Sequence, residues 1–236
     1  MTWKRCLLFA GLTVALLAAV AVGIRLSLGS APEFYEQALE LEHHDPVQRR
    51  REAEEFVHRT LALATEIRYS ESWSEEFTEE QVNAWLAEEL QQRHRDWLPA
   101  GVTEPRLHFG DGVLQLAFRY EHNGWPTVVS CVLRPWLVRP NELAIEVQSI
   151  TAGWLPLPTA EALKDLPRHL FLEDWRIQWR ESSGHDVIVV QLNQERPRPP
   201  ILEYLMLQKG VLQVAGSRAT RAKPEPVASL TTNPLL

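Results

Sequence analysis

The sequence predicts an α+β protein: an N-terminal transmembrane helix and helical stalk, then a curved antiparallel β-meander packed on one long helix. Three observations predict it. Cys6 to Ile24 is a run of nineteen residues without a charged side chain, preceded by Lys4 and Arg5, and a bilayer-spanning helix needs roughly 20 apolar residues. Apolar residues then recur at three- and four-residue spacing in two stretches before residue 98, the period of a helix with one buried face. From Pro105 onward the period falls to two, as in strands covered on one side.

The apolar run sets the topology. Lys4 and Arg5 stand before it, and beyond Arg25 the next basic residue is Arg49. Positive charge beside a span stays cytoplasmic, so residues 1–5 are expected inside, 6–28 form a transmembrane signal anchor, and the rest lies outside the cytoplasm. A cleavable signal peptide competes with this reading. Ala19-Val20-Ala21 matches a small-x-small site but falls inside the run, and a cut after Ala31 would leave Pro32 behind it. No Cys follows the run to carry a lipid.

Residues 29–70 are expected to form a membrane-proximal stalk of two helices divided at Pro46. Ala53, Phe56, Val57, Leu61 and Ala64 make an apolar stripe, and Arg49 to Glu55 make a charged side of i,i+4 pairs. The best local signal follows in FTEEQVNAWLAEEL, Phe77–Leu90. Thr78 and Gln81 make a capping box, with Phe77 and Val82 as its hydrophobic staple. Glu79 and Glu80 suit the positive end of the helix dipole. Val82, Leu86 and Leu90 then point inward, with Trp85 alongside, until Pro99 stops the helix. Asn83 reads either as solvated or as a partly buried contact to a neighbouring loop.

Leu107–Phe109 and Leu114–Tyr120 read as a hairpin turned at Gly110-Asp111-Gly112. Asn123-Gly124 turns the chain into a third strand, Pro126 to Leu133. Pro135 and Pro140 limit ladder pairing, so an edge or a bend is expected around them. Leu143, Ile145 and Val147 alternate in the next strand, which ends at Gly153-Trp154-Leu155-Pro156. Thr159 is expected to cap a helix over 160–171. Trp175–Trp179 and Val187–Leu192 read as strands, followed by a short pair, Ile201–Leu207 and Val211–Val214, about Gly210. A folded domain over 71–217 and a disordered tail over 218–236 complete the plan.

This order of features resembles the YpmS-like membrane-anchored bacterial proteins, whose function is not established. The anchor, the helix Phe77–Leu90, the glycine-turned strand pair and NELAIEVQSITAGWLPLP, Asn141–Pro158, carry the resemblance over roughly residues 70–215. It implies a cell-envelope protein. The alternating apolar strands are also similar to bacterial lipid-binding domains that curl an antiparallel sheet around one long helix and leave an apolar groove.

The side chains point to binding rather than catalysis. A net charge of −7, spread along the chain, argues against a nucleic-acid surface. Cys6 and Cys131 lie in different settings and make no disulfide framework, and Cys131, among valines and leucines, reads as a small buried hydrophobe. No HExxH, Cys-x-x-Cys, Gly-x-Ser-x-Gly or phosphate-loop pattern is present, so no catalytic residue, metal site or cofactor is assigned. The nine tryptophans stand out. Large aromatics commonly fill cores, but Trp85 on the long helix, and Trp136 and Trp154 beside prolines or glycines at strand ends, are the candidate ligand contacts. The expected role is noncatalytic: a membrane-anchored extracytoplasmic domain that binds an apolar, lipid-like ligand or an envelope partner. The alternative is a structural or assembly protein acting through its membrane-proximal helices.

Overall fold

In a computed structural model, the described residues are 30–122, 124–158, 176–182, 185–192 and 199–218. The expected anchor, the helix over 160–171 and the tail beyond Arg218 lie outside them. Among the described residues no helix is long and apolar enough to cross a membrane.

The chain is α+β, with three main helices and two antiparallel sheets. Helix α1 (Glu33–His44) and helix α2 (Pro46–Tyr69) are divided at Asp45, whose carboxylate caps α2 by accepting from the amides of Val47 and Gln48. Strand β1 (Ser72–Thr78) leads into α3 (Glu79–Trp85), and the capping box at Thr78 and Gln81 forms with both bonds in place. A π-helical turn, Leu86–Leu90, continues α3 and keeps Leu86 and Leu90 buried with Val82. Helical structure ends in a 3-10 turn at Arg95–Trp97, just ahead of Pro99.

The larger sheet orders β2 (Val102–Phe109), β3 (Leu114–His122), β4 (Trp125–Arg139), β5 (Glu142–Ala152), β8 (His185–Gln191) and β7 (Arg176–Ser182), with the two-residue β6 (Leu155–Pro156) beside the end of β5. A second sheet orders β1, β10 (Val211–Arg218) and β9 (Pro200–Gln208). The expected single meander is therefore two sheets. Strand β1, which carries no clear alternation in SWSEEFT, is recruited by pairing with β10 from Ser72–Ser217 to Thr78–Val211. Such pairing joins residues far apart in the chain and leaves no local signal.

Two further features depart from expectation, and one bears it out. The two stalk helices form but are folded into the body: Phe56 of α2 packs on Phe77 and Trp85, and Arg49 pairs with Glu88 at 2.6 Å. Pro135 lies where β4 is locally an edge, as expected, because β3 has ended before it, and Pro140 lies in the turn to β5. Asn141 accepts from the amide of Leu192, so the alternate residues Leu143 and Ile145 aim their backbone groups at β8 and away from β4. Pro135, opposite Ile145, thus turns its nitrogen to the side where β3 has already ended at Leu114, opposite Leu133, and no ladder bond is lost. Finally, Asn83 is bonded to a strand.

The core has two main parts. Phe77, Val82, Leu86, Leu90, Phe109 and Leu207 join α3, the smaller sheet and one face of β2, here called the front. On the back of the larger sheet, Tyr35 of α1 buries Ala117 and Val128.

Candidate functional site

The site is built on β2, an edge strand whose outer backbone groups need partners. Helix α3 supplies them. Asn83 donates to the carbonyl of Leu107 and accepts from its amide, both at 2.8 Å, and Glu79 accepts from the amide of Phe109 at 2.7 Å. Four residues of helix rise about 6 Å and two residues of strand about 6.6 Å, so side chains one turn apart match strand residues two apart. Between those strand positions, His108 faces the other way. Its Nδ1 lies 3.1 Å from a Glu79 oxygen, and its ring stacks on Phe34 of α1 with centroids 5.7 Å apart.

The neighbouring bulge turns Arg106 inward. Pairing of β2 with β3 shifts register between Thr103 and Arg106, and Glu104 adopts φ 52° there. Bulges re-aim side chains in this way. Arg106 is 1% exposed and donates to the carbonyl of Pro105 at 2.6 Å. Burial lowers its pKa to about 10, against a smaller opposing effect of Tyr35, while burial raises the Tyr35 phenol to about 12. Both groups stay in their ordinary protonation states at neutral pH.

These residues border a cleft of about 590 Å³ between α1, the start of α2, α3 and the Lys209-Gly210 turn. Its walls carry both signs of charge, with Glu52, Glu79 and Glu80 against Arg49, Arg106 and Lys209. Most of this polarity already has a structural use. Thr78 caps α3, Glu79 joins the helix to the edge strand, and Arg49 is paired with Glu88. Among the described residues, no group of three or more His, Cys, Asp or Glu side chains could hold a metal ion.

The three tryptophans expected at a ligand site do not converge. Trp85 ends α3 and packs on Phe56, with ring centroids 5.6 Å apart. Trp136 stands on the back of β4 opposite Ala144, and Trp154 lies in the β5–β6 turn, 70% exposed. Ala144 and Ala152 are eight residues apart along β5, so Trp136 and Trp154 are separated by some 26 Å. None of the three borders the cleft. Sequence reads Glu79 only as a helix-dipole residue and does not single out Arg106 or His108, because only the helix-to-edge docking and the bulge bring the three together.

Burial raises the Cys131 thiol from 9.0 to about 11, so it stays protonated at neutral pH and behaves as a small apolar side chain. No protein-family model matches the chain, and no curated protein and no solved structure matches it significantly.

Proposed function

We propose that the chain is a noncatalytic, single-pass membrane-anchored domain, N-terminus in, that holds an apolar, lipid-like ligand against the front of its larger sheet outside the cytoplasm. One observation carries this reading: apolar side chains cross the sheet in rows. Leu116, Cys131 and Ile150 stand side by side, as do Phe118, Val129 and Ala152, and as do Pro135, Ile145, Ile188 and Trp179. Leu116, Phe118, Val129, Cys131, Ile145 and Ile188 are only half-buried, and Trp179 is 48% exposed. Half-buried apolar side chains gathered on one face, with an exposed tryptophan among them, support a binding role for it. The anchor run and the resemblance to YpmS-like envelope proteins fit the same reading.

Mass spectrometry of lipid extracted from the full chain, purified in mild detergent, tests it. Stoichiometric lipid that is lost on Cys131→Glu, in a protein that still shows its native circular dichroism, is the expected result. A chain that carries no lipid, and whose tryptophan emission is unchanged when lipid is added, refutes it.

A second reading, an envelope assembly protein acting through its membrane-proximal helices, draws on α2. Val47, Leu61 and Tyr69 are 79%, 63% and 74% exposed on that helix. Leu61→Arg would then reduce oligomer size in analytical ultracentrifugation, whereas an unchanged monomer would count against assembly through α2.

A further inference from the structure

Three of the most exposed tryptophans gather at one end of the larger sheet. Helix α3 starts beside Phe109, the last residue of β2, and its continuation runs back along that edge, so the 3-10 turn at Trp97 lies near the first residue, Val102. There Val102 donates to Pro99, and Glu121, near the end of β3, donates to Gly101. Trp125 opens β4 opposite His122. Trp154 follows Gly153, whose amide donates to Val128 at 2.7 Å. Trp97, Trp125 and Trp154 are 55%, 56% and 70% exposed, and Leu155 beside them is 45% exposed. From β2 to β5 is three strand spacings, about 14 Å, so three turns present tryptophans along one short line.

The chain enters the domain at the same end. Ala31, just ahead of α1, packs on the cluster of Tyr35, Ala117 and Val128, and Val128 is three residues from Trp125 and bonded to Gly153. Only five residues, Arg25–Gly29, separate the apolar run from Ser30. Five residues span at most about 17 Å. A domain entered at this end cannot place it far from the membrane that the run crosses.

We propose that this end of the sheet is a membrane-contact surface, with Trp97, Trp125 and Trp154 seated among the headgroups of the bilayer that holds the anchor. The inference rests on the reading of residues 6–28 as a transmembrane anchor. Tryptophan suits the interface because its ring is apolar while its N–H can bond to water or lipid oxygen. Exposed charges at this end have both signs, Arg95 and Arg119 against Asp96 and Glu121, so the contact requires no anionic lipid. Two attachments, one span and one tryptophan edge, would hold the domain at a fixed tilt and not let it swing on its tether.

The test uses the full chain with Cys6→Ser, reconstituted in phosphatidylcholine vesicles containing a nitroxide-bearing lipid. An environment-sensitive fluorophore is attached to Trp97→Cys, Trp154→Cys or Trp136→Cys, one at a time. Positions 97 and 154 should be quenched several times more strongly than position 136, with no change when anionic lipid is added. Equal, weak quenching at all three positions in a chain that floats with the vesicles overturns the membrane contact and leaves the anchor intact. A chain that does not float with the vesicles overturns the anchor and the contact with it.

Discussion

The side-chain amide of Asn83 stands in for a neighbouring strand by bonding both backbone groups of Leu107 at 2.8 Å. Asn141 does the same work at the other junction. Its amide donates to the carbonyl of Pro200 at 2.9 Å and its oxygen accepts from Leu202 at 2.7 Å, tying β9 to the larger sheet. Asn83 thus connects a helix to a strand edge by its side chain alone, and Asn141 adds its side-chain bonds to a backbone bond from its own amide to the carbonyl of Leu202 at 3.0 Å.

Replacing Asn83 with Ala strips both partners from Leu107, and the expected loss is about 1–3 kcal/mol. Asn83→Asp keeps the acceptor, loses the donor and should fall between the two. Urea unfolding followed by circular dichroism measures both, and an unchanged midpoint for the Ala variant would remove Asn83 from this role.

Asn141 carries two demands at once, because its φ is 62° and its side chain is bonded. Asn141→Gly satisfies only the backbone, and Asn141→Ala satisfies neither. The stability order should be Asn, then Gly, then Ala, with the Asn-to-Gly step reporting the side-chain bonds plus the added freedom of the unfolded chain, less the strain relieved at positive φ.

Gly216 leaves no room for a methyl group. A Cβ there would overlap the carbonyl of Ile201 and the indole of Trp73, at a register shift between β10 and β9. Because one obstacle is backbone, the strands must part, and Gly216→Ala should cost at least about 2 kcal/mol. Gly112, with open space around it, bounds the cost of placing a side chain at positive φ alone: Gly112→Ala should cost less in the same thermal melt.

Burial of Cys131 raises its thiol from 9.0 to about 11. The folded state therefore holds a proton that the unfolded state releases first, and the stability contributed by this group declines as pH rises from 9 to 11. In a Cys6→Ser chain, a disulfide reagent should react far more slowly at pH 8 than with a free thiol, and faster as pH rises towards 11. Reaction at pH 8 as fast as that of a free thiol would show the pKa to be unshifted.

Glu142 titrates in the opposite sense. A hydrogen bond from Arg139 at 2.7 Å, helped by Gln191, holds its carboxyl below the ordinary glutamate value of 4.5. The stability it adds is present above pH 4.5 and is lost as pH falls through its lowered pKa. Glu142→Gln should flatten the acid limb of a stability-against-pH curve and leave the limb near pH 9 unchanged.

Legibility followed the range of the interactions. The capping box at Thr78 and Gln81 lies within four residues, so it could be read directly, as could the Pro46 division of the helices and the strands of period two. Asn83 could not be read as a strand partner, because Leu107 is twenty-four residues away and its own strand looks like any other. Trp85, Trp136 and Trp154 were distinctive by type, but type does not bring side chains together, and the structure spreads them over a helix, a strand and a turn.

By itself, the sequence determined the helices and most strands of the described residues, the apolar run at the start and the absence of familiar catalytic patterns. These depend on periodicity and caps, which act over one or two turns. Tertiary structure alone decided that the stalk helices join the body, that β1 pairs with β10 in a second sheet, and that Glu79, Arg106 and His108 share a cleft. It also placed Trp97, Trp125 and Trp154 at the end where the chain enters. Each of these rests on register between distant segments, and register is set by the docking of whole faces rather than by any local run of residues.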